Sequence, residues 1–467
     1  MRQVTVREYA RLGKSDQPID TQSLDYAEVS QSAFDYLCEL QASFRSNGAN
    51  LLHIDGAQKL RLDQYVGVIE TPCGTRLEIL PKHLDSHDAA TVSTARALLI
   101  KMLSCALKLK PREVGIANLE LYRQPLHEWL IREFLLAFET LLSKGIRSEY
   151  LRIEETQKYL RGQLDIAKHI RQPATQAHVF PIRHDVFSLN RPENRLLRLA
   201  LERICRITQD PQNWRLAQEL RLLTSEIPAS TNIQQDFSRW QSGRLLAHYQ
   251  PIHPWCELVL GQHLPIAGHS DWCGMSLLFP MDRLFEAYVA DRLKKQLVTG
   301  ATLSTQVRTQ HLCTHRDQQI FQLRPDLIVN WSAPEGQSGT VVLDTKWKRL
   351  NGSNQQKRYD LKDSDLQQMF AYSHFYLQHQ GDVILIYPKS DTFTKPLEPF
   401  FFQTTPAGKA RLLVLPFDLD KDALIQPDAG LDWLAARTGD DCRDNFKSAL
   451  GIECWRVDPD ATHSLRT

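Results

Sequence analysis

The sequence predicts a multidomain α/β protein with a β-rich N-terminal part, a helical middle and a C-terminal mixed sheet flanked by helices. Three observations support this order. Near the start, apolar residues such as Val4 and Val6 alternate with polar ones, which is typical of strands. A helical spacing of apolar residues begins at Ala89. From Pro280 onward, helical and strand patterns follow each other as in a small sheet covered by helices.

The length of 467 residues corresponds to about three domains, and with 42% hydrophobic residues the chain can bury a sizeable core. We place the boundaries where the pattern changes. The expected parts are a β-rich domain at 1–90, a helical region at 91–270, a mixed-sheet domain at 271–420 and a tail at 421–467 to which no motif assigns a role.

Charge and composition exclude several function classes. Lys and Arg number 56 against 55 acidic residues, a net charge of +1, so the protein has no strongly basic nucleic-acid-binding coat, although a local basic groove remains open. No apolar run reaches the roughly 18 residues of a membrane helix. The nine cysteines include no C-x-x-C pair, which argues against a disulfide framework or zinc ribbon and predicts a reducing, cytoplasmic setting.

The first two parts contain clear element signals. Alternating residues at 65–69 and 77–82 flank a Pro/Gly turn at 71–75 and predict a hairpin. From 89 to about 223 the apolar spacing predicts helices, as in Leu98, Met102 and Phe134. A polar, proline-containing stretch at about 225–255 predicts a connecting loop.

The third part predicts a helix, two strands, a helix and a strand. The first helix is expected at 281–297 and the first strand at 319–331. A Gly/Ser/Pro turn at 332–339 leads to a second strand at 340–347, and a helix at 363–378 precedes a strand at 383–387.

The residues with the most chemical information lie on the two adjacent strands. Asp344 and Lys346 are two apart in a strand, so their side chains share one face. Asp326 lies at the edge of the partner strand. Two carboxylates beside a lysine form a hard-oxygen site suited to Mg²⁺, with a cation to stabilise the charge that develops on a phosphate. The pattern predicts phosphodiester hydrolysis.

Three further side chains fit this site. Glu286 follows apolar residues in the preceding helix, and Gln368 and Tyr372 are four apart in the following helix and share a face. Each also has a structural interpretation: a surface residue for Glu286, and ordinary residues capping the sheet edge for the other two. The basic residues around the loop at 351–356 predict either a solvated face or phosphate contact; they are Lys348, Arg349, Lys357, Arg358 and Lys362.

This arrangement resembles the PD-(D/E)xK nuclease superfamily, including its variants with a Gln-x-x-x-Tyr helix. It is more closely similar to the McrC family, the nuclease subunits of McrBC 5-methylcytosine restriction systems. The motifs that carry this resemblance are Leu284-Phe-Glu-Ala-Tyr-Val, Arg324-Pro-Asp, Leu343-Asp-Thr-Lys-Trp-Lys and Ser364-Asp-Leu-Gln-Gln-Met-Phe-Ala-Tyr.

Sequence outside the site agrees with the resemblance, which spans about residues 60–420. Leu77-Glu-Ile-Leu-Pro-Lys resembles the N-terminal strand of the family and Phe417-Asp-Leu its closing strand. Three motifs resemble its central helical region: Gly145-Ile-Arg-Ser-Glu-Tyr, Leu160-Arg-Gly-Gln-Leu-Asp and Asn194-Arg-Leu-Leu-Arg.

The resemblance implies a restriction-endonuclease-like C-terminal domain and a role for each site residue. Glu286, Asp326 and Asp344 would hold Mg²⁺, and Lys346 would be the catalytic lysine. Gln368 and Tyr372 would support the site or contact the DNA backbone.

The resemblance also implies a partner, a hexameric AAA+ GTPase of the McrB type that this chain stimulates and that binds the GTP. In the family the N-terminal part reaches into the motor ring, so residues 1–90 are the expected contact. The chain itself has only a fragment of a phosphate-binding loop, Gly13-Lys-Ser15, because position 8 is Glu rather than the required glycine. We interpret this fragment as a surface turn.

The implied activity is that of a type IV restriction endonuclease subunit, a Mg²⁺-dependent phosphodiester hydrolase that cuts double-stranded DNA carrying 5-methylcytosine. One alternative is a sequence-specific member of the same family that cuts unmodified DNA. Another is a non-catalytic activator of the motor. Separately, His311, Cys313 and His315 alternate along one strand, where a polar strand edge is favoured over a metal site.

Overall fold

The chain is a mixed α/β protein with several sheets. The computed structural model describes residues 2–15, 23–46, 50–56, 58–83, 89–107, 124–241, 243–261, 277–297, 300–332, 338–403 and 410–426. Residues 427–467, most of the expected tail, lie outside this range. No helix in the described part is long and apolar enough to cross a membrane.

The N-terminal part consists of short strands around one helix. Its elements are β1 (Arg2–Arg7), β2 (Arg11–Lys14), β3 (Tyr26–Val29), α1 (Gln31–Ser46), β4 (Leu52–Ile54), β5 (Lys59–Leu62), β6 (Tyr65–Glu70) and β7 (Thr75–Leu80). The predicted hairpin is β6–β7. The helix α1 packs Phe34, Leu37 and Leu40 into the core of this part.

The interpretation of Gly13-Lys-Ser15 as a surface turn was wrong. Gly13 and Lys14 belong to β2, in which Gly13 pairs with Glu28 of β3 and with Lys59 of β5. A glycine between two neighbouring strands leaves room for a close side chain, and here the Tyr26 ring takes that room.

The middle part contains the predicted helices and a sheet that was not predicted. Its elements are α2 (Ala89–Ala106), α3 (Leu126–Lys144), β8 (Glu149–Gln157), β9 (Gln163–Leu164), α4 (Ile166–Ile170), β10 (Phe180–Ser188), α5 (Pro192–Ile207), α6 (Pro211–Leu223), α7 (Ile233–Ser238) and α8 (His253–Val259). The sheet order is β8-β10-β9.

Two predictions for this part were therefore wrong. The helical pattern is interrupted by the sheet. Strand β8 is largely exposed and lacks the apolar alternation that marks a half-buried strand, while β10 buries only Pro181, Ile182 and His184. The stretch at 225–255 is not a plain loop, since α7 and the start of α8 lie in it. The Asn232 side chain caps α7 by accepting a hydrogen bond from the Gln235 amide, and Trp255 of α8 is buried.

The C-terminal part begins with β11 (Leu277–Pro280), which pairs with β6 and completes the sheet β1-β7-β6-β11. The remaining elements are α9 (Met281–Gln296), β12 (Thr302–Thr305), β13 (Gln310–His315), β14 (Gln318–Leu323), β15 (Leu327–Ser332), β16 (Ser338–Thr345), α10 (Asp363–Leu377), β17 (Asp382–Pro388), β18 (Phe400–Phe401), β19 (Arg411–Asp418) and β20 (Ala423–Leu424).

A mixed sheet in the order β12-β15-β16-β17-β19-β18 forms the centre of this part. Strands β16, β17 and β19 are parallel, and β15 is antiparallel to β16. Alternate residues of β16 enter different cores: Val341 and Leu343 face the core that contains α9, while Val342 faces the core that contains α10. By the same alternation, Asp344 lies on the α10 side.

The strand predicted at 319–331 is two strands. Residues 318–323 form β14, which pairs with β13 in a separate hairpin. Residues 327–332 form β15, which belongs to the central sheet. Arg324 and Pro325 separate them, because proline has no amide hydrogen to donate to a ladder.

Candidate active site

The sheet brings Asp326 and Asp344 to neighbouring positions. In the antiparallel pair β15–β16, Leu327 pairs with Leu343, so the residue before Leu327 comes beside the residue after Leu343. Thr345, the residue after Asp344, holds Asp326 in this position. The Asp326 Oδ2 accepts hydrogen bonds of 2.8 Å from both the amide and the hydroxyl of Thr345. The two predicted carboxylates are thus adjacent.

Lys346 directly follows β16 and forms an ion pair with Asp344. Its Nζ lies 2.5 Å from Asp344 Oδ2, and the carboxylate is 1% exposed. The Lys346 amide donates to the Ile386 carbonyl oxygen of the neighbouring β17 at 2.9 Å, so the backbone at this position is held by the sheet. The ammonium stays partly accessible, with 27% of the side chain exposed.

The protonation equilibria of these groups are perturbed together. Burial, followed by the charge of Asp326, raises the pKa of Asp344 to about 7. Burial also raises the pKa of Asp326, against the opposing hydrogen bonds from Thr345. For Lys346, burial lowers the pKa, but the nearby carboxylates of Asp344 and Asp326 outweigh it and the net pKa is raised. Groups with such shifts, gathered in a cleft, are typical of functional sites.

Gln368 of α10 connects the lysine to the helix. Its Oε1 accepts a hydrogen bond from Lys346 Nζ at 3.1 Å, and its Nε2 lies 2.7 Å from Tyr372 Oη and 3.5 Å from Asp344 Oδ1. Tyr372 is buried, and burial, followed by the charge of Asp344, raises its pKa. These two side chains therefore belong to the same hydrogen-bonded cluster as the acids.

Glu286 of α9 lies beside Asp326. Burial, followed by the charge of Asp326, raises the pKa of Glu286. Its Oε1 accepts a hydrogen bond from Gln306 Nε2. Within the described residues, no three His, Cys, Asp or Glu side chains converge closely enough to hold a metal ion by themselves.

A polar cavity of about 250 Å³ opens beside the cluster. Asp344 is not among the residues that line it, although Thr345 and Lys346, which directly follow Asp344, are. The lining residues are Gln64, Asp282, Glu286, Asp326, Thr345, Lys346, Trp347, Lys348, Lys362 and Asp365. Buried carboxylates with raised pKa values offer oxygen ligands to a hard cation, and Mg²⁺ commonly uses only one or two protein carboxylates with water and substrate phosphate. The residues therefore fit Mg²⁺.

Comparison with known proteins identifies the family of the chain. The model of the McrBC 5-methylcytosine restriction system component family matches residues 60–388. The chain belongs to this McrBC family. No curated protein matches its sequence.

Two solved structures are similar. One is the refined half-complex from the tetradecameric assembly of Thermococcus gammatolerans McrB AAA+ hexamers with bound McrC. The matched chain is 18% identical in sequence, and the match covers 96% of this chain and 99% of that chain with a TM-score of 0.66. At this identity the similarity shows the fold alone. The Thermococcus gammatolerans McrBC complex is 20% identical, covers 62% of this chain and 85% of its own, and has a TM-score of 0.48.

The basic residues predicted near the candidate site do not all line the cavity. Lys348 and Lys362 line the cavity, and the ammonium of Lys348 donates to the carbonyl oxygen of Asp360. Burial, followed by the charge of Lys362, lowers the pKa of Lys348. Arg349 is half-buried and outside the lining, and Arg358 forms an ion pair with Asp363.

Sequence patterns missed several residues of this candidate site. Thr345 is the middle residue of the Asp-x-Lys motif, so the motif itself could have indicated that Thr345 belongs to the site. Gln306 carried no local signal, because it follows β12 and reaches Glu286 across 20 residues of sequence. Gln64 was missed because it lies in the N-terminal part, far from the site in sequence. Its Nε2 lies 3.4 Å from the carbonyl oxygen of Trp347.

Proposed function

We propose that this McrBC-family chain is the Mg²⁺-dependent DNA endonuclease subunit of a GTP-driven restriction complex that acts on 5-methylcytosine-containing DNA. A restriction-endonuclease-like domain, PD-(D/E)xK in type, would carry the activity. The observation that carries the proposal is the cluster at the ends of β15 and β16, where the buried carboxylate of Asp344 and the partly buried carboxylate of Asp326 meet Lys346 beside a cavity.

Each residue of the cluster would have its own role in the reaction. Asp326 and Asp344, with Glu286 nearby, would hold Mg²⁺, which when bound supplies Lewis acidity toward a phosphate and lowers the pKa of a bound water. Lys346 places a cation where charge develops on the phosphate. Gln368 orients that ammonium through its Oε1, and Tyr372 in turn fixes the Gln368 amide. Lys348 and Lys362 supply phosphate contacts along the cavity.

The proposed partner is an AAA+ GTPase of the McrB type, because the similar Thermococcus gammatolerans structure holds McrC bound to McrB AAA+ hexamers. The partner would bind GTP and be stimulated by this chain, with residues 1–90 as the proposed docking part. Cysteine usage supports a cytoplasmic location.

A plasmid cleavage assay tests this function. The purified complex of this chain with its AAA+ partner is incubated with methylated or unmethylated plasmid, Mg²⁺, and GTP or no nucleotide. We expect cutting that needs methylation and GTP and that Asp344→Ala or Lys346→Ala abolishes. The matched control Asp391→Ala changes an exposed aspartate on the loop after β17 and is expected to cut normally.

The other outcomes point to other functions. Equal cutting of unmethylated DNA would indicate a sequence-specific endonuclease of the same family. GTP hydrolysis that is stimulated without any cutting by the wild type would indicate a non-catalytic activator. Normal cutting by folded, assembled Asp344→Ala would show that the site is elsewhere.

A further inference from the structure

The hairpin β13–β14 protrudes beside the candidate site with little cover of its own. Eight of its twelve strand residues are exposed and the other four are half-buried. A two-stranded ribbon without a partner surface is marginally stable in water. The exposed surface of this ribbon is therefore suited to binding another molecule.

The base of the hairpin is fixed to the site. The hydroxyl of Tyr376 lies 3.0 Å from the carbonyl oxygen of Leu323 and 3.4 Å from that of Val307, at the two ends of the hairpin. Tyr376 belongs to α10, the helix that also carries Gln368. From β14 the chain passes through Arg324 and Pro325 directly to Asp326. The direction of the ribbon is thus set relative to the acidic cluster.

The charge of the ribbon is suited to an anion. Arg308 and Arg324 lie at its base and Arg316 at its turn, all three are exposed, and none forms an ion pair with a described residue. Asp317 is the one acidic residue between positions 308 and 324. Exposed arginines without carboxylate partners are available to phosphates.

The middle of the ribbon presents two large apolar side chains. Leu312 is 48% exposed and Phe321 is 70% exposed, and the pairing on either side places them opposite each other. Phe321 also has a φ of 56°, a left-handed backbone conformation that costs a bulky residue of order 1–3 kcal/mol.

We propose that the β13–β14 hairpin is a DNA-binding arm that enters a groove of the duplex next to the cleavage site. This inference rests on the proposed nuclease function. Six residues per strand give a length of about 20 Å, and the major groove, about 12 Å wide, admits a two-stranded ribbon. The arginines contact phosphates, while Phe321 and Leu312 make apolar contacts with the groove.

Two cysteines of the chain provide a direct test. Cys313 lies on β13 and is exposed, and Cys205 lies on α5, outside both the hairpin and the proposed docking part, and is half-buried. The assembled complex with the AAA+ partner is alkylated with and without duplex DNA, with Ca²⁺ replacing Mg²⁺ to prevent cutting, and each cysteine is followed by mass spectrometry. We expect DNA to slow the alkylation of Cys313 at least five-fold and to leave the alkylation of Cys205 unchanged.

A charge-reversal variant provides the second test. In Arg308→Glu/Arg316→Glu, DNA affinity by fluorescence anisotropy is expected to fall at least ten-fold, with a salt slope smaller by about two. The control Arg215→Glu changes an exposed arginine of α6 that already pairs with Glu219 and is expected to bind as the wild type does. Thermal unfolding and GTPase stimulation of all variants are expected to stay unchanged.

The proposal is overturned if Cys313 reacts equally with and without DNA, or if the double variant binds DNA like the control. It is also overturned if the motor alone protects Cys313 or if the double variant loses motor binding, since the occupant is then the partner protein. Failure of the proposed function is a separate result: the wild-type complex then does not cut DNA in Mg²⁺.

Discussion

The indole of Trp347 donates a 2.7 Å hydrogen bond to the carboxylate of Glu8, across 339 residues of sequence. Trp347 lines the cavity and follows Lys346 directly. Glu8 follows β1, is fully buried, and also accepts a hydrogen bond from the Lys82 amide at 2.8 Å. One carboxylate thus connects the N-terminal sheet to the strand that carries Asp344 and Lys346, so the position of the site depends on a part of the chain far from it in sequence.

The Glu8 carboxyl is expected to make stability depend on pH. Burial raises its pKa from 4.5 to about 7. Between these values the folded protein holds a proton that the unfolded chain has released, so stability falls as pH rises through this window. Replacing the group by an amide in Glu8→Gln removes this titration and keeps an oxygen for both donors.

Denaturant unfolding at pH 4.5 and pH 7.5 measures the effect. Relative to Glu8→Gln, the wild type is expected to lose about 3 kcal/mol of unfolding free energy over this range. The control Glu226→Gln changes an exposed glutamate and is expected to follow the wild type. Parallel pH profiles for wild type and Glu8→Gln would contradict the assignment.

Gln306 is expected to position two of the proposed metal ligands. Its side-chain amide donates to Glu286, and its backbone amide donates to the Asp326 carbonyl oxygen at 2.9 Å. Its φ is 53°, which glycine adopts readily. Gln306→Gly therefore keeps the backbone bond and removes only the side chain, and we expect the Mg²⁺ concentration for half-maximal cutting to rise about ten-fold.

Gln378→Gly is a matched control for this prediction, because Gln378 is an exposed glutamine with a φ of 51° at the end of α10. It is expected to leave the Mg²⁺ requirement unchanged. A second readout is the Mg²⁺-induced rise in melting temperature, which should shrink in Gln306→Gly alone. Equal Mg²⁺ responses of the two variants would exclude a positioning role for Gln306.

The sequence predicted those site residues that lie a few positions apart on the same strand or helix. The Asp-x-Lys pattern of residues 344–346, with an apolar run before it, fixes both side chains relative to one strand. The four-residue spacing of Gln368 and Tyr372 does the same on a helix. Both pairs lie together in the structure.

What sequence did not predict depends on contacts between distant segments. Glu8 meets Trp347 only through the packing of separate sheets, and Gln306 reaches Glu286 from a strand end without a motif. Strand β8 is largely exposed and β10 buries only three residues, so neither has a continuous apolar face and periodicity did not distinguish them from the helices around them. For β14 and β15 the alternation continues across Pro325, although the pairing changes partner there.

Thr345 offers the most specific test of how Asp326 is held. Its hydroxyl donates to Asp326 Oδ2 at 2.8 Å, so Thr345→Val removes one of two hydrogen bonds while keeping the shape of a strand residue. We expect cutting to slow about ten-fold and Thr345→Ser, which keeps the hydroxyl, to remain near the wild type. Thr340→Val is a control on the same strand, because the Thr340 hydroxyl donates to Asn330 Oδ1 at 2.8 Å, away from the cavity. Single-turnover cleavage rates at saturating Mg²⁺ and GTP compare all four proteins; equal slowing in both valine variants would attribute the effect to the sheet rather than to Asp326.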